Sequence, residues 1–371
     1  MKKVLFFIND LGQGGAERVL VNLVNHLDLD RFDVTVMTLF GNGENEIFLS
    51  NNINYQYIFS KKIRGYSHLL KLFSPKLLHT MFIKKKYDIE ISFLEGPAAR
   101  IISGCRDKNI DLVSWMHCTF NSKESVAVGF RNYKEAKKSY QKFKNLVFVS
   151  NDSMKSFLKI TQLKLNCRVL YNTNDSDRII EMSDNKKICI EKNLFTWCGV
   201  GKLIPIKAFD RLIRIQRRLI DNGVKSKLYI LGDGSLKSYL TNYSEEIGVS
   251  DSVCFLGYLD NPYSIVKQCK LFVCSSISEG FSTAATEALI LGVPVCTVKV
   301  SGMCELIGNN NEFGIVTENN EDSLFEEINK LATNPSYLKE YTERAKYRGN
   351  FFKTNNTVNE IEKFLWSLGE S

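Results

Sequence analysis

Short apolar runs alternate with amphipathic segments along almost the whole chain, and the series runs twice. Lys3–Asn9 has the composition of a strand. Gly15–Leu27 then repeats apolar residues at helical spacing, with Val19, Leu20, Leu23, Val24 and Leu27 on one face. Asp33–Leu39, Ile89–Leu94, Leu112–Met116 and Leu146–Val149 continue the strand series, with helical patterns between them. Residues 172–193 are polar and weakly periodic. A second series follows at Leu194–Val200, Leu228–Leu231, Val253–Leu256, Leu271–Cys274 and Val293–Val298. Strands that alternate with helices predict parallel sheets covered on both faces. The fold class expected is α/β, with two doubly wound Rossmann-like domains facing across a cleft. The domains are read as residues 1–171 and 194–352, joined by a linker at 172–193. The tail 353–371 is a helix with Val358, Ile361, Phe364 and Leu365 on one side, expected to pack back towards the first domain. In such sheets ligands sit outside the carboxyl ends of the strands, so the cleft is the expected site.

The bulk numbers remove several classes. At 371 residues, 44% hydrophobic and 24% charged, the chain has the composition of a globular protein with a large core. The run Val4–Ile8 is too short for a signal peptide core. The stretch from Ala284 to Val298 is broken by Glu287, Gly292 and Pro294 and is too short to span a bilayer. A cytoplasmic protein is expected. The ten cysteines are scattered without a CxxC pair and are read as free thiols, mostly of the core.

Net charge is +8, unevenly placed. Residues 51–150 hold 18 lysines and arginines against 7 acidic residues. That excess suggests an anionic surface or substrate for the first half. A solvated lysine-rich face is the plainer alternative. Nucleic acid is not expected, because the basic residues join no recognised binding module.

Several motifs stand at strand ends. Asn9 to Gly15 is a glycine-bearing turn ahead of a helix, where backbone N–H groups of Gly14 and Gly15 can approach a phosphate. A dinucleotide fingerprint would need a third glycine at Glu17, so nicotinamide binding is not expected. Lys202 and Lys207 follow the first strand of the second series and can clamp a diphosphate as point charges, although the P-loop spacing is absent. Gly232 lies in a Gly-Asp-Gly turn. His117 closes a strand. Asp175-Ser176-Asp177 has the form of a metal-binding triplet, but its place in the linker argues against that role. No metal and no cofactor are expected.

The most informative stretch is SEGFSTAATEALILGVP, from Ser278 to Pro294. Ser282 or Thr283 can cap the helix it opens, and that N-terminus favours a phosphate. Glu287, about a turn in, can accept two hydrogen bonds from a ribose diol. Glu279, in the loop with Gly280 and Phe281, can reach hydroxyls of an attached sugar. A helix-dipole role for Glu287 with a solvated Glu279 fits the spacing equally well.

Taken together these residues resemble the retaining glycosyltransferases of family 4, which have the GT-B architecture, of the kind used in bacterial surface polysaccharides. EGFSTAATEALILGVPV with Gly302 and Glu305 is similar to the family's E-x7-E block. Gly14-Gly15-Ala16-Glu17-Arg18 looks like its GGAER loop, Tyr171-Asn172 with Asp175 like its YN-x-x-D, and Gly232-Asp233-Gly234 like its GDG turn. Lys202 stands where the family has arginine, Ala208 where it has glycine, and Ser282 where it has proline or glycine.

The resemblance implies a metal-independent hexosyl- or N-acetylhexosaminyltransferase using a nucleotide sugar, with UDP the expected carrier. The expected acceptor is a lipid-linked saccharide. It implies that Glu287 binds the donor ribose and Glu279 the donor sugar. Lys202 and Lys207 would hold the diphosphate with backbone help from Gly15, Tyr258 would border the base, and His117 would lie near the reacting centre. Glu279, His117 and Lys207 are the candidate catalytic residues; Gly14, Gly15, Lys202, Lys207, Gly232, Tyr258, Glu279, Gly280, Phe281, Ser282, Thr283 and Glu287 are the candidate donor-binding residues. The basic segments 61–86 and 130–144, which mix lysines with Leu, Phe, Met and Tyr, are expected to meet an anionic membrane from its inner face. The rival readings are a nucleotide-sugar epimerase of the same fold and a non-catalytic nucleotide-sugar-binding protein.

Overall fold

The computed structural model describes residues 1–185 and 188–369. It divides into two compact units. The first comprises Met1–Thr173 with the tail from Thr354 onward, and the second Asn174–Lys353.

The first unit is built on a seven-stranded parallel sheet. Its strands are β1 (Lys2–Ile8), β2 (Phe32–Phe40), β3 (Asn54–Phe59), β4 (Ile89–Ser92), β5 (Asp111–Met116), β6 (Asn145–Phe148) and β7 (Asn166–Val169). The order is β3-β2-β1-β4-β5-β6-β7. The register runs Val4 opposite Val34 on one side of β1 and opposite Ile89 on the other. Val4 to Ile8 are fully buried because both faces of the strand are covered. The C-terminal helix, Thr354–Ser367, groups with this unit: Glu362 accepts a 2.7 Å hydrogen bond from the Asp28 backbone N–H, and Trp366 packs edge-on against Phe32.

The second unit has a six-stranded parallel sheet, with β8 (Phe195–Val200), β9 (Ser226–Leu231), β10 (Val253–Gly257), β11 (Leu271–Cys274), β12 (Val295–Val298) and β13 (Ile315–Thr317). The order β10-β9-β8-β11-β12-β13 reverses direction between β8 and β11. The helix Phe209–Asp221 covers one face, burying Leu212, Ile213, Ile215 and Leu219 while Arg214, Arg217 and Arg218 pair with acidic neighbours outside the core.

Three strands escaped the sequence pattern: β3, β7 and β13. All three lie at sheet edges. Polar residues interrupt β3 and β7, which bury no residue fully, and β13 has only three residues; the fourth edge strand, β10, keeps an apolar run.

The linker expected at 172–193 differs most. Asp175 caps a helix, Ser176–Asp184, by accepting from the Arg178 N–H at 3.2 Å. Ile179 is buried, and the helix packs on Tyr263–Val266 and Thr283–Ile290. Ile179 is its one buried apolar residue, and polar contacts from Asn261 and Lys267 hold its end, which leaves too little apolar periodicity to read from sequence. Residues 186–187 of the same stretch lie outside the described residues.

Candidate active site

Two loops leave the second sheet where its strand order reverses, one after β8 and one after β11. Because β8 and β11 are hydrogen-bonded neighbours, the loops emerge side by side. The first runs through Gly201 and Lys202 into a 3-10 turn at Pro205–Lys207. The second runs through Ser275 to Glu279 and enters the helix Thr283–Ile290.

The loops are stitched together. Ser275 Oγ donates to the carbonyls of Lys207 and Ala208, at 2.9 and 3.0 Å, and the Ile277 N–H donates to Ile206 O at 2.8 Å. Lys207 Nζ lies 2.6 Å from Glu279 Oε1, which also accepts from Ser276 Oγ at 2.6 Å. The Glu279 side chain is only 11% exposed, so this ion pair sits in a partly desolvated place where its charges matter more than at the surface.

Ser282 is the helix cap. Its Oγ accepts from the Ala285 N–H at 3.3 Å, and Thr283 is the first helical residue. Glu287 is half-buried one turn in. Tyr263 OH donates to its Oε1 at 3.3 Å from the neighbouring helix Tyr263–Val266. Phe281 is buried against Phe352. Gly280 belongs to a close approach: a Cβ on Gly302, whose φ is +76°, would meet Gly280 O at 2.6 Å. That is why the glycine after this block matters for the shape of the loop.

The remaining donor candidates separate. Lys202 is exposed, and no ion pair holds it among the described residues. Gly232 has a backbone reason: its φ is +136°, and a Cβ would fall 1.9 Å from Gly201 O. The turn at Gly232 thus supports the β8 loop from behind. Tyr258 stands just past β10 and is 61% exposed.

Gly14, Gly15 and His117 belong to the first unit, at the carboxyl ends of β1 and β5. Gly14 is the N-cap of the helix Gly15–His26 and has no side chain to cap it; the Glu17 carboxylate lies against it, 1.7 Å from where a Cβ on Gly14 would stand. The His117 ring packs at a tilt against Phe93, with ring centroids 4.7 Å apart, and its backbone N–H donates to Glu95 at 3.1 Å. Burial depresses its pKa to about 3, so the ring is neutral. Its Nε2 is buried and has no hydrogen-bond partner among the described residues. Glu95, Ser276 and Tyr263 were not found by sequence reasoning. Ser276 had a signal, a serine pair directly after a strand; Tyr263 had none.

One other group of ligating side chains is present among the described residues: His79, Glu90 and Cys105, with ligand atoms within 4.8 Å of one another. His79 Nε2 and Glu90 Oε2 are 2.8 Å apart. Two ligands of one tetrahedral metal ion stand about 3.3 Å apart, so this spacing is that of a hydrogen-bonded ion pair.

The two basic segments expected at a membrane part company. In 130–144, Phe130, Ala136, Tyr140 and Phe143 are buried in the core of the first unit, which corrects the expectation that its aromatics face lipid. Its apolar spacing is that of an ordinary core-facing helix, and polar side chains such as Arg131, Lys134, Lys138 and Gln141 remain outside. In 61–86 Leu70, Leu78 and Ile83 are buried, while Leu69, Leu72, Phe73, Leu77 and Met81 are exposed. No helix among the described residues is long and apolar enough to cross a membrane.

Residues 13–178 match the model of glycosyltransferase family 4, and residues 182–348 match that of glycosyl transferases group 1. The chain belongs to the family 4 glycosyltransferases. It is an enzyme of GT-B architecture, built from the two Rossmann-like units described above. A Campylobacter jejuni relative is 29% identical across 98% of this chain and 100% of its own length. It is an N-acetylgalactosamine-N,N'-diacetylbacillosaminyl-diphospho-undecaprenol 4-alpha-N-acetylgalactosaminyltransferase. Among solved structures, Anabaena Alr3699/HepE in complex with UDP and glucose aligns with a TM-score of 0.78 at 20% identity, over 99% of this chain and 100% of that one. WaaG, a glycosyltransferase involved in lipopolysaccharide biosynthesis, aligns at 0.75 and 18% identity, over 98% and 100%.

Proposed function

We propose that this glycosyltransferase moves a hexosyl or N-acetylhexosaminyl group from a UDP-sugar to a hydroxyl of a lipid-linked saccharide in surface polysaccharide assembly. The transfer retains the anomeric configuration and needs no metal ion. The observation that carries the reading is the grouping, at the switch point of the second sheet, of Lys207, Glu279, Glu287 and the helix N-terminus capped by Ser282. The Campylobacter relative, whose acceptor is linked to diphospho-undecaprenol, and the neighbour that binds UDP and glucose support the same reading.

In this account Glu287 accepts from the ribose hydroxyls, and Tyr263 holds it in place. Lys207, with Lys202, stabilises negative charge on the diphosphate, together with the N-terminus of Thr283–Ile290. These fixed positive groups do the work that a metal does in other sites. Glu279 takes hydrogen bonds from the donor sugar. The acceptor oxygen bonds to the anomeric carbon as the bond from that carbon to phosphate breaks. The acceptor proton passes to the leaving phosphate. The enzyme works at the inner membrane face, where a lipid-linked acceptor is presented.

The test is transfer from α-linked UDP-sugars to a lipid-linked saccharide in EDTA, with the product anomer read by NMR. An α-linked product formed in EDTA supports the proposal. A β-linked product removes retention, and activity abolished by EDTA removes metal independence.

A further inference from the structure

From Ile47 to Tyr87 the chain has no acidic residue, and it carries eight lysines and arginines. The helices Tyr66–Leu72 and Pro75–Phe82 lie inside this stretch. Each buries a single residue, Leu70 in the first and Leu78 in the second. The large apolar side chains beside them point to solvent: Leu69 is 51% exposed, Leu72 73%, Phe73 42%, Leu77 44% and Met81 46%. A helix of a globular domain normally shows the reverse, an apolar face inward and a polar face outward. An exposed apolar set of this extent marks an interaction surface.

The element is anchored. Arg100, fully buried, donates from Nη1 to Leu70 O at 2.8 Å and from Nη2 to Phe73 O at 2.7 Å. Arg131 donates to the carbonyls of Lys71 and Leu72. These bonds satisfy the carbonyls that a helix end leaves open. Ser74 caps the next helix by accepting from the Leu77 N–H, and Pro75 starts it. The exposed leucines therefore belong to a fixed surface and not to a fraying end.

Charge complementarity identifies the occupant. Exposed Lys76 and Lys84–Lys86 lie within and just after the helix pair, with Lys61 and Arg64 just before it. Lysines beside exposed Leu, Phe and Met suit an anionic bilayer, with the apolar groups in the acyl boundary and the ammonium groups on the headgroups. We propose that the helix pair Tyr66–Leu72 and Pro75–Phe82 is a membrane-inserting element, seated in an anionic phospholipid bilayer through Leu69, Leu72, Phe73, Leu77 and Met81. The segment 130–144 takes no part in insertion, because its apolar face is already in the core. This deepens the membrane part of the proposed function and depends on it only for the lipid-linked acceptor.

The test is flotation of the full chain with vesicles of phosphatidylglycerol mixed with phosphatidylcholine, and with phosphatidylcholine alone. Wild type is expected to float with the anionic vesicles. Leu69→Ser with Leu72→Ser, which keeps every charge, is expected to reduce the bound fraction at least about fivefold. Lys84→Glu with Lys85→Glu and Lys86→Glu should reduce it comparably, while Lys134→Glu with Lys138→Glu leaves it within about twofold. UDP binding is titrated in the same samples. The variants should keep wild-type UDP affinity, so failure of the vesicle result stands apart from failure of the donor site. The proposal is overturned if wild type does not float or if the leucine variant floats as wild type does. It is also overturned if light scattering shows a wild-type dimer that the leucine variant dissociates, since the patch then covers a second copy of the chain.

Discussion

Lys207 and Glu279 form an ion pair, 2.6 Å apart, that joins the loop after β8 to the loop after β11 at the reversal of strand order. Donor diphosphate and donor sugar are proposed to meet at this pair. Lys207→Ala removes the cation and leaves the Ser276 and Cys274 bonds to Glu279 in place. Losing one preorganised charge of this kind is expected to lower kcat/KM by about 10²–10³-fold. Lys207→Arg should recover part of that loss. Steady-state kinetics of the two variants check this, and equal activity in all three proteins would contradict it.

Tyr263 orients Glu287 through one hydrogen bond of 3.3 Å. Tyr263→Phe removes the hydroxyl and leaves the ring. A bond of this kind contributes about 1 kcal/mol, so the dissociation constant for UDP should rise by roughly fivefold. The rise should appear in KM for the donor with kcat little changed. A fall in kcat alone would place Tyr263 elsewhere in the mechanism.

Ala208 has a left-handed backbone, with φ +48° and ψ +47°. A side chain there costs about 1–2 kcal/mol, part of which glycine returns through its freer unfolded chain. Ala208→Gly should therefore stabilise the protein by up to about 1 kcal/mol. A denaturant midpoint that moves up is the expected result, and one that moves down would show that the buried Ala208 methyl contributes more than the strain costs.

His79 provides a pH signature. Burial disfavours its charge, but hydrogen bonds with Cys105 and Glu90 outweigh that and raise its pKa from 6.5 to about 9. The folded protein holds this proton more tightly than the unfolded chain. The resulting stabilisation is complete below about pH 6.5 and is lost as pH rises through about 9. The gap in unfolding midpoint between wild type and His79→Gln should thus shrink between those values. Comparing the two proteins removes the contribution of His117, whose shift runs the other way. A gap that does not change with pH would mean that His79 is neutral in the fold.

Most of the architecture was legible because buried parallel strands are continuous apolar runs: β1, β5, β8 and β11 each end where a functional loop begins. The strands β3, β7 and β13 were not, since polar residues interrupt β3 and β7 and β13 has only three residues. The helix Ser176–Asp184 was hidden because it buries a single apolar residue, Ile179, and is otherwise held by its cap and by polar contacts from Asn261 and Lys267. In the site, Glu279, Ser282 and Glu287 were readable from spacing and capping chemistry. Tyr263 was not, because it reaches Glu287 from 24 residues away through tertiary packing alone. The basic segment 130–144 misled for the converse reason: sequence shows which side chains share a helix face, but not whether that face meets the core or the solvent.

The measurement that tests the central claim most directly is a calorimetric titration of UDP into wild type and Glu287→Ala, in EDTA. The account predicts saturable one-to-one binding to wild type, weakened at least about tenfold by the substitution, since hydrogen bonds to a charged group contribute about 1.5–3 kcal/mol each. Binding that is absent from wild type, or equal in both proteins, would contradict it and leave Glu287 as a charge that only complements its helix.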